Sequence, residues 1–347
     1  VTGRNAAYIV GFALCVVILG VTLATVDLAT VGAALSRADY RLLPLMIAFS
    51  VIGLATRAAR WHGLIQGRIR FWACFHISNI GYLFNNLLPL RAGEIARVLL
   101  AAGAPQPVPM MTTLSTVLLE RIVDLLFVLG LLGAAVAVLP ATNTIHNFSV
   151  GGAALILAAI GGIAFLGIGA YRRTWLLAAV RWVQRQVPFT QRLPLEAQLD
   201  KFLDGLAALK TPSALLLLLF WTIASWVSSI AATYVLLVAF FGTADWGLVI
   251  LFMALSSLTV SASAVVAYTP AGVGPYHASV VLALAIIGYT QPEGAPVAFA
   301  IVLHLVNLAI YLVLGMIGLT QQHIRPRDLL ERVRDFAKRP LAPLPKA

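Results

Sequence analysis

Two short stretches of this sequence place ionisable residues where the surrounding residues are apolar. The first runs Asn85-Asn86-Leu87-Leu88-Pro89-Leu90-Arg91-Ala92-Gly93-Glu94-Ile95-Ala96-Arg97 and follows an apolar run with no polar loop between them. Pro89 ends the preceding helix, and Gly93 gives the backbone the freedom to turn. Glu94 then falls in the first turn of the next helix, where a carboxylate suits the helix dipole. Glu94 and Arg97, three apart, are expected to pair on one face. The second stretch is Glu120-Arg121-Ile122-Val123-Asp124, within an apolar segment that starts near Pro109 and reaches Leu139. At 1.5 Å per residue, Glu120 lies roughly 16 Å into that helix, near the middle of a bilayer. Glu120 and Asp124 share a face, and Arg121 is expected to reach Asp124.

Charges at that depth need partners, because even lenient scales put the cost of each at about 2.5–3.5 kcal/mol. Arg91, Arg97 and Arg121 balance Glu94, Glu120 and Asp124 in number. One reading is an ion-pair lock between helices. The other is a polar cavity, in which arginines take phosphate through bidentate hydrogen bonds and carboxylates carry protons. Intramembrane ionisable clusters commonly line a pathway, which favours the cavity.

The elements that must hold these residues follow from composition. Of 347 residues, 61% are hydrophobic and 11% charged, and the mean hydropathy is +0.93. Soluble domains carry about a quarter charged residues, so a soluble fold is excluded. Apolar runs fall near 8–26, 42–58, 72–88, 108–139, 148–170, 213–241, 246–268, 276–290 and 296–320. The expected fold is an all-α, polytopic integral membrane helical bundle. The first run is too long for a signal-peptide core and is expected to be a retained helix. Cys15 and Cys74 imply neither a disulfide framework nor a metal site.

The net charge of +11 suits a membrane protein with basic cytoplasmic loops, without any need for nucleic acid. The 57–71 loop, the 172–210 segment and the tail after Thr320 each carry an excess of four positive charges and are expected to be cytoplasmic, as are the N- and C-termini. Residues 140–148 and 242–245, nearly uncharged, read as the outer side. Parity then requires a discontinuous or re-entrant hairpin near 85–104, opening from the cytoplasm, and another near 268–290, opening from outside. Pro89 with Gly93 and Pro270 with Gly274 share one spacing. An inverted-topology repeat would produce this, and so would the general frequency of Pro and Gly in membrane helices. The chain reads as one membrane domain over 1–320, with candidate halves 1–147 and 148–320, followed by a basic tail over 321–347.

Segment 172–210 and the tail have an apolar stripe among basic residues. They are expected to lie in the membrane interface or to pack on the protein itself. Thr269-Pro270-Ala271-Gly272-Val273-Gly274-Pro275-Tyr276-His277 reads as a tight turn between helices. His277 and His304 are too few for a metal site, and no cofactor is expected. Trp61 beside Arg60 suggests interfacial anchoring, with Arg57 and Arg60 near headgroup phosphates.

The stretch at 85–97, the Glu-Arg-x-x-Asp at 120–124 and the Pro-x-Gly-x-Gly at 270–274 together resemble the lysylphosphatidylglycerol synthase transmembrane family, a flippase-like membrane domain, over nearly the whole chain. The resemblance implies movement of lipids between leaflets, aminoacylated phosphatidylglycerol in the named members and other lipid-linked cargo in relatives, with an anionic phospholipid or a polyprenyl-linked lipid as the expected partner here. It also moves the 270–274 turn toward a re-entrant loop, so that Asn85, Asn86, Pro270, Gly272, Gly274 and His277 join the charged residues as candidate lipid-binding positions. No aminoacyl-transfer domain follows Thr320, so synthase activity is not expected. The competing functions are an intramembrane glycosyl- or acyltransferase, against which the lack of an Asp-x-Asp pair counts, and a scaffold for envelope synthesis. A homo-oligomer is compatible with all three.

Overall fold

The structure is a computed structural model that describes residues 27–88, 92–138, 157, 160, 161, 164, 171–186, 194–206, 210–262 and 273–338. These residues form helices and connecting turns: α1 (Leu28–Arg37), α2 (Leu43–Leu64), α3 (Phe71–Leu87), α4 (Ala92–Ala102), α5 (Met110–Val138), α6 (Arg173–Gln186), α7 (Leu195–Asp204), α8 (Pro212–Phe241), α9 (Trp246–Ala262), α10 (Pro275–Ile286), α11 (Ala295–Gln321) and α12 (Pro326–Lys338). The expected segments at 8–26 and 148–170 lie largely or wholly outside the described residues. Starts are marked where the sequence punctuates: the Asp27 carboxylate accepts from the Ala29 amide to cap α1, and Pro44, Pro212 and Pro296 occupy first-turn positions of α2, α8 and α11, where a missing N–H costs nothing.

Among the described residues, three stretches are long and apolar enough to cross a membrane: Tyr40–Leu64, Pro212–Phe241 and Ala295–Gln321. Their outer faces stay apolar, with Leu216, Phe220 and Val227 of α8 and Leu305 and Val313 of α11 exposed. In an aqueous protein such a surface would be a liability, and here it is the surface that meets acyl chains. The protein is an all-α polytopic integral membrane protein.

Two ends of the bundle can be told apart by what packs together. Ile65, Ile69, Ala101, Val108, Leu319, Leu329 and Val333 form one cluster, so the 65–70 turn, the end of α4, the end of α11 and the tail share one end. At the other, the Asp39 amide bonds the Ala239 carbonyl at 2.9 Å, and the Asp245 amide bonds the Tyr289 hydroxyl at 3.2 Å. The α3–α4 hairpin therefore opens at the first end and the α9–α10 hairpin at the second.

The first hairpin stops part-way across. α3 runs antiparallel to α11, with Gly318 against His76 and Ile80, Gly315 against Asn79 and Leu83, and the Tyr311 ring 5.6 Å from Tyr82. Continued to Leu87, α3 ends opposite about Val306, roughly 16 Å short of the start of α11 at 1.5 Å per residue. A hairpin ending at that depth is re-entrant. Its two arms touch without side chains between them, since a Cβ on Gly93 would fall on the Gly81 carbonyl oxygen.

The packing repeats itself in the opposite sense. α2 lies along α8, and the two run antiparallel. α3 packs on α11 while α9 packs on α5, α4 on α5 while α10 packs on α11, and α1 on α11 while α7 packs on α5. Even the close approaches correspond: a Cβ on Gly294, at the start of α11, would strike Thr30 of α1, and one on Gly205, at the end of α7, would strike Thr112 and Ser115 at the start of α5. This reciprocal pattern is what two inverted five-helix units produce.

The amphipathic segments resolve differently. Leu329 and Val333 of α12 are buried against the bundle, so the tail packs on its own protein. Leu203 and Leu206 bury against Leu64, Leu119, Val123 and Leu218. α6 is tied to α7 by Arg173, whose guanidinium bonds Asp200 and Asp204 and is held above its usual pKa by the Asp200 hydrogen bond. Trp175 and Trp182 of α6 remain exposed.

Candidate functional site

The charged residues are brought to the inside of the bundle by α2, α4 and α5. Arg60 on α2 grips Asp124 on α5 with two parallel bonds, Nη1 to Oδ1 at 2.6 Å and Nη2 to Oδ2 at 3.0 Å. Its Nε lies 3.5 Å from Glu120 Oε1. Arg97 on α4 reaches the other oxygen of Glu120 at 3.0 Å, and Arg121 bonds Glu94 through Nη2 at 2.9 Å. The network closes with Thr222 accepting from Arg60 and the Trp226 indole donating to Asp124, both from α8. Three cations and three carboxylates from three helices thus neutralise one another, which is the condition for holding charge away from water.

Local sequence explains how the arms reach. Gly81 has no side chain, and a Cβ there would collide with Cγ of Arg97, so this glycine clears the path from α4 to Glu120. The Arg97 guanidinium lies over the Trp61 ring, 4.4 Å from its centroid, a stacking that suits a weakly hydrated planar cation. Trp61 Nε1 donates to Thr116 on α5. Asn85 Oδ1 accepts from the Gly93 amide at 2.8 Å and holds the hairpin turn. Asn86 bonds back to the Tyr82 carbonyl.

Several expected contacts are corrected. Glu94 is met by Arg121 rather than Arg97, and Asp124 by Arg60 rather than Arg121, so these ion pairs of the network join two helices rather than neighbours on one helix. Trp61 is fully buried and Arg60 is 3% exposed, so both face the inside of the bundle rather than its surface. The reason is that α2 continues to Leu64, well past the boundary that its charges suggested. The apolar spacing Leu54, Ala58, Trp61 and Ile65 was the signal that could have extended it. Arg91, Pro270 and Gly272 lie outside the described residues.

Beside the network is a cavity of about 220 Å³, lined by α2, α8, α9, α10 and α11. Trp226 lines it on one face and bonds Asp124 on the other. Its polar surface comes from Ser50, Arg57, Ser229, Ser256, Ser257, Tyr276 and Asn307 among others. Neither the network residues Glu94, Arg97, Glu120, Arg121 and Asp124 nor His277 is among the residues lining it. Gly274, with φ of +90°, starts α10, and its amide bonds His277 Nδ1 at 3.4 Å. The His277 ring lies 4.8 Å from that of His304 on α11. Thr222, Trp226 and Ser229 were missed by sequence reasoning, although their spacing of four and then three marks one polar face on an otherwise apolar helix.

No curated protein and no solved structure matches the chain. The model of one family, described as the lysylphosphatidylglycerol synthase TM region, does match, over residues 8–315. With that match spanning most of its length and its re-entrant, charge-bearing helices, the chain belongs to the lysylphosphatidylglycerol synthase transmembrane-region family.

Proposed function

We propose that this protein is a flippase- or scramblase-like transporter that carries the headgroup of an anionic phospholipid or a polyprenyl-linked lipid across the cytoplasmic membrane. The observation that carries the reading is a polar cavity lying against a neutral six-residue ion-pair network, between hairpins that open at opposite ends of the bundle. A structural lock alone needs no cavity, whereas an alternating pathway needs both a space for the headgroup and paired charges that can part on either side of it. Family membership supports a role in membrane lipid chemistry.

In this mechanism the reciprocal helix units rock against each other about the α2–α8 contact. The Arg97–Glu120 and Arg121–Glu94 pairs hold the first hairpin closed, and the cluster of His277, His304 and Tyr276 rings serves the second. The basic end, with 57–71, 172–210 and the tail, is cytoplasmic in this reading.

Reconstitution of purified protein into vesicles with fluorescent phospholipids tests the proposal. Wild type accelerates exchange between leaflets, and Glu120→Gln, which leaves Arg97 without its carboxylate, abolishes that acceleration in protein that still folds. Exchange no faster than in protein-free vesicles, or equal in wild type and variant, rejects it.

A further inference from the structure

Helix α6 turns one face to the protein and leaves the opposite face uncovered. Leu176 packs on the cluster of Leu203 and Leu206, and Arg173 and Arg181 pair with Asp200, Asp204 and Glu196 of α7. At about 100° per residue, Trp175, Ala178, Ala179 and Trp182 share the far side, with Tyr171 one turn before them. All of these are exposed, the two indoles at 67% and 63%. An aromatic face of that size left open marks an interaction site. Arg172 and Arg185 stand on either side of it. All 13 acidic residues of the chain fall among the described positions, and none lies within ion-pair distance of either arginine, because the three acids of α7 are taken by Arg173 and Arg181. The face therefore combines aromatic rings with two uncompensated cations and no anion.

Tyr171 fixes the level at which this face lies. Its hydroxyl donates to the Lys210 carbonyl at 3.4 Å, two residues before Pro212 starts α8 and one turn before Leu215 and Leu216, which are exposed on the surface that meets acyl chains. Thr112, in the first turn of α5, donates to the Lys201 carbonyl of α7 at 2.8 Å, so the α6–α7 pair sits at the end of the bundle where the chain passes from α4 to α5. With 14 residues, α6 is roughly 21 Å long at 1.5 Å per residue, short of a hydrocarbon core of about 30 Å. A helix of that length, starting where α8 enters the apolar layer, fits along the membrane surface rather than across it.

We infer that α6 is seated in the headgroup layer at this end of the bundle, with Trp175 and Trp182 among the headgroups and Arg172 and Arg185 on lipid phosphates, so that its seat depends on anionic lipid in that leaflet. Indole and phenol rings favour this layer because they are apolar in body and polar at one edge. Basic residues beside them draw on the negative surface potential of an anionic leaflet. Seated there, α6 braces α7, whose Leu203 packs with Leu206 against Leu119 and Val123 of α5, the chain neighbours of Glu120 and Asp124. Lipid acts here as a surface and not as cargo, so the inference does not depend on transport.

The test uses the full chain with Cys15 and Cys74 replaced by Ser and a nitroxide attached at Ala179→Cys, in nanodiscs of phosphatidylcholine alone or of phosphatidylcholine mixed with phosphatidylserine. Electron paramagnetic resonance separates a membrane-seated population, relaxed by oxygen, from a water-exposed one, relaxed by a nickel chelate. In the mixed discs the seated population dominates. Its ratio to the exposed one falls about thirtyfold in the neutral discs, about fivefold for each of the two arginines. Arg172→Gln combined with Arg185→Gln produces a similar fall in the mixed discs and no change in the neutral ones. Neither side chain forms an ion pair among the described residues, so the double variant keeps the fold. Equal ratios in the two kinds of disc, or a double variant that behaves as its parent in the mixed discs, overturn the inference. A label open to the chelate in both discs overturns it too and leaves the face to a protein partner.

Discussion

Removing Arg60 should damage this protein more than removing any other charge of the network, and the geometry says by how much. The Arg60 side chain is 2% exposed and bridges Glu120 and Asp124, whose side chains are 7% and 26% exposed. Arg60→Met keeps length and volume while leaving the two carboxylates facing each other from adjacent turns of α5. Breaking a buried pair from one side costs about 3–5 kcal/mol, because the surviving charge is stranded. Arg121 and Glu94 are the contrast: their side chains are 42% and 27% exposed, and a pair with that access to a polar medium is worth about 1 kcal/mol or less. Reversible unfolding in mixed micelles, or steric trapping in bicelles, measures both. Arg60→Met should lose at least twice what Arg121→Gln loses, and Arg60→Met combined with Asp124→Asn should recover part of the loss. If Arg60→Met costs less than about 1 kcal/mol, the network does not hold the helices together and the argument from stranded charge is wrong.

Gly93→Ala should open the re-entrant hairpin, since the added methyl group falls on the Gly81 carbonyl. A loss of about 1–3 kcal/mol is expected for such overpacking, read by the same unfolding assay, and an unaffected variant would refute the close contact of the two arms. Single cysteines test the two ends of the bundle, because Arg68, Asp335 and Asp245 are all exposed. In sealed vesicles Arg68→Cys and Asp335→Cys should react with an impermeant maleimide from one side and Asp245→Cys from the other; labelling of all three from one side contradicts the separation of the two ends, and labelling of Arg68→Cys and Asp335→Cys from opposite sides contradicts the packing of the tail with the 65–70 turn.

Much of this protein was decided by local sequence. Apolar runs too long and too poor in charge for a soluble fold required a membrane bundle, and the basic loops alternated with neutral ones. Parity between them demanded two hairpins. That Glu94, Arg97, Glu120, Arg121 and Asp124 need partners also followed from sequence, since the cost of a charge in hydrocarbon depends on depth along the chain.

Which partner each charge takes was a tertiary matter. Spacing of three or four along a helix permits Glu94 with Arg97 and Arg121 with Asp124, but a helix surface holds such pairs weakly. Packing α4 against α5 brings carboxylate and guanidinium together with better geometry across the gap. Arg60 and Trp61 looked interfacial because a charge followed by an aromatic is read against a straight membrane boundary, and only the contact of α2 with α5 and α8 shows both side chains buried inside the bundle. The cavity was invisible for the same reason: Arg57, Ser229, Ser256, Tyr276 and Asn307 are far apart in the chain, and what unites them is the meeting of α2, α8 and the second hairpin in space.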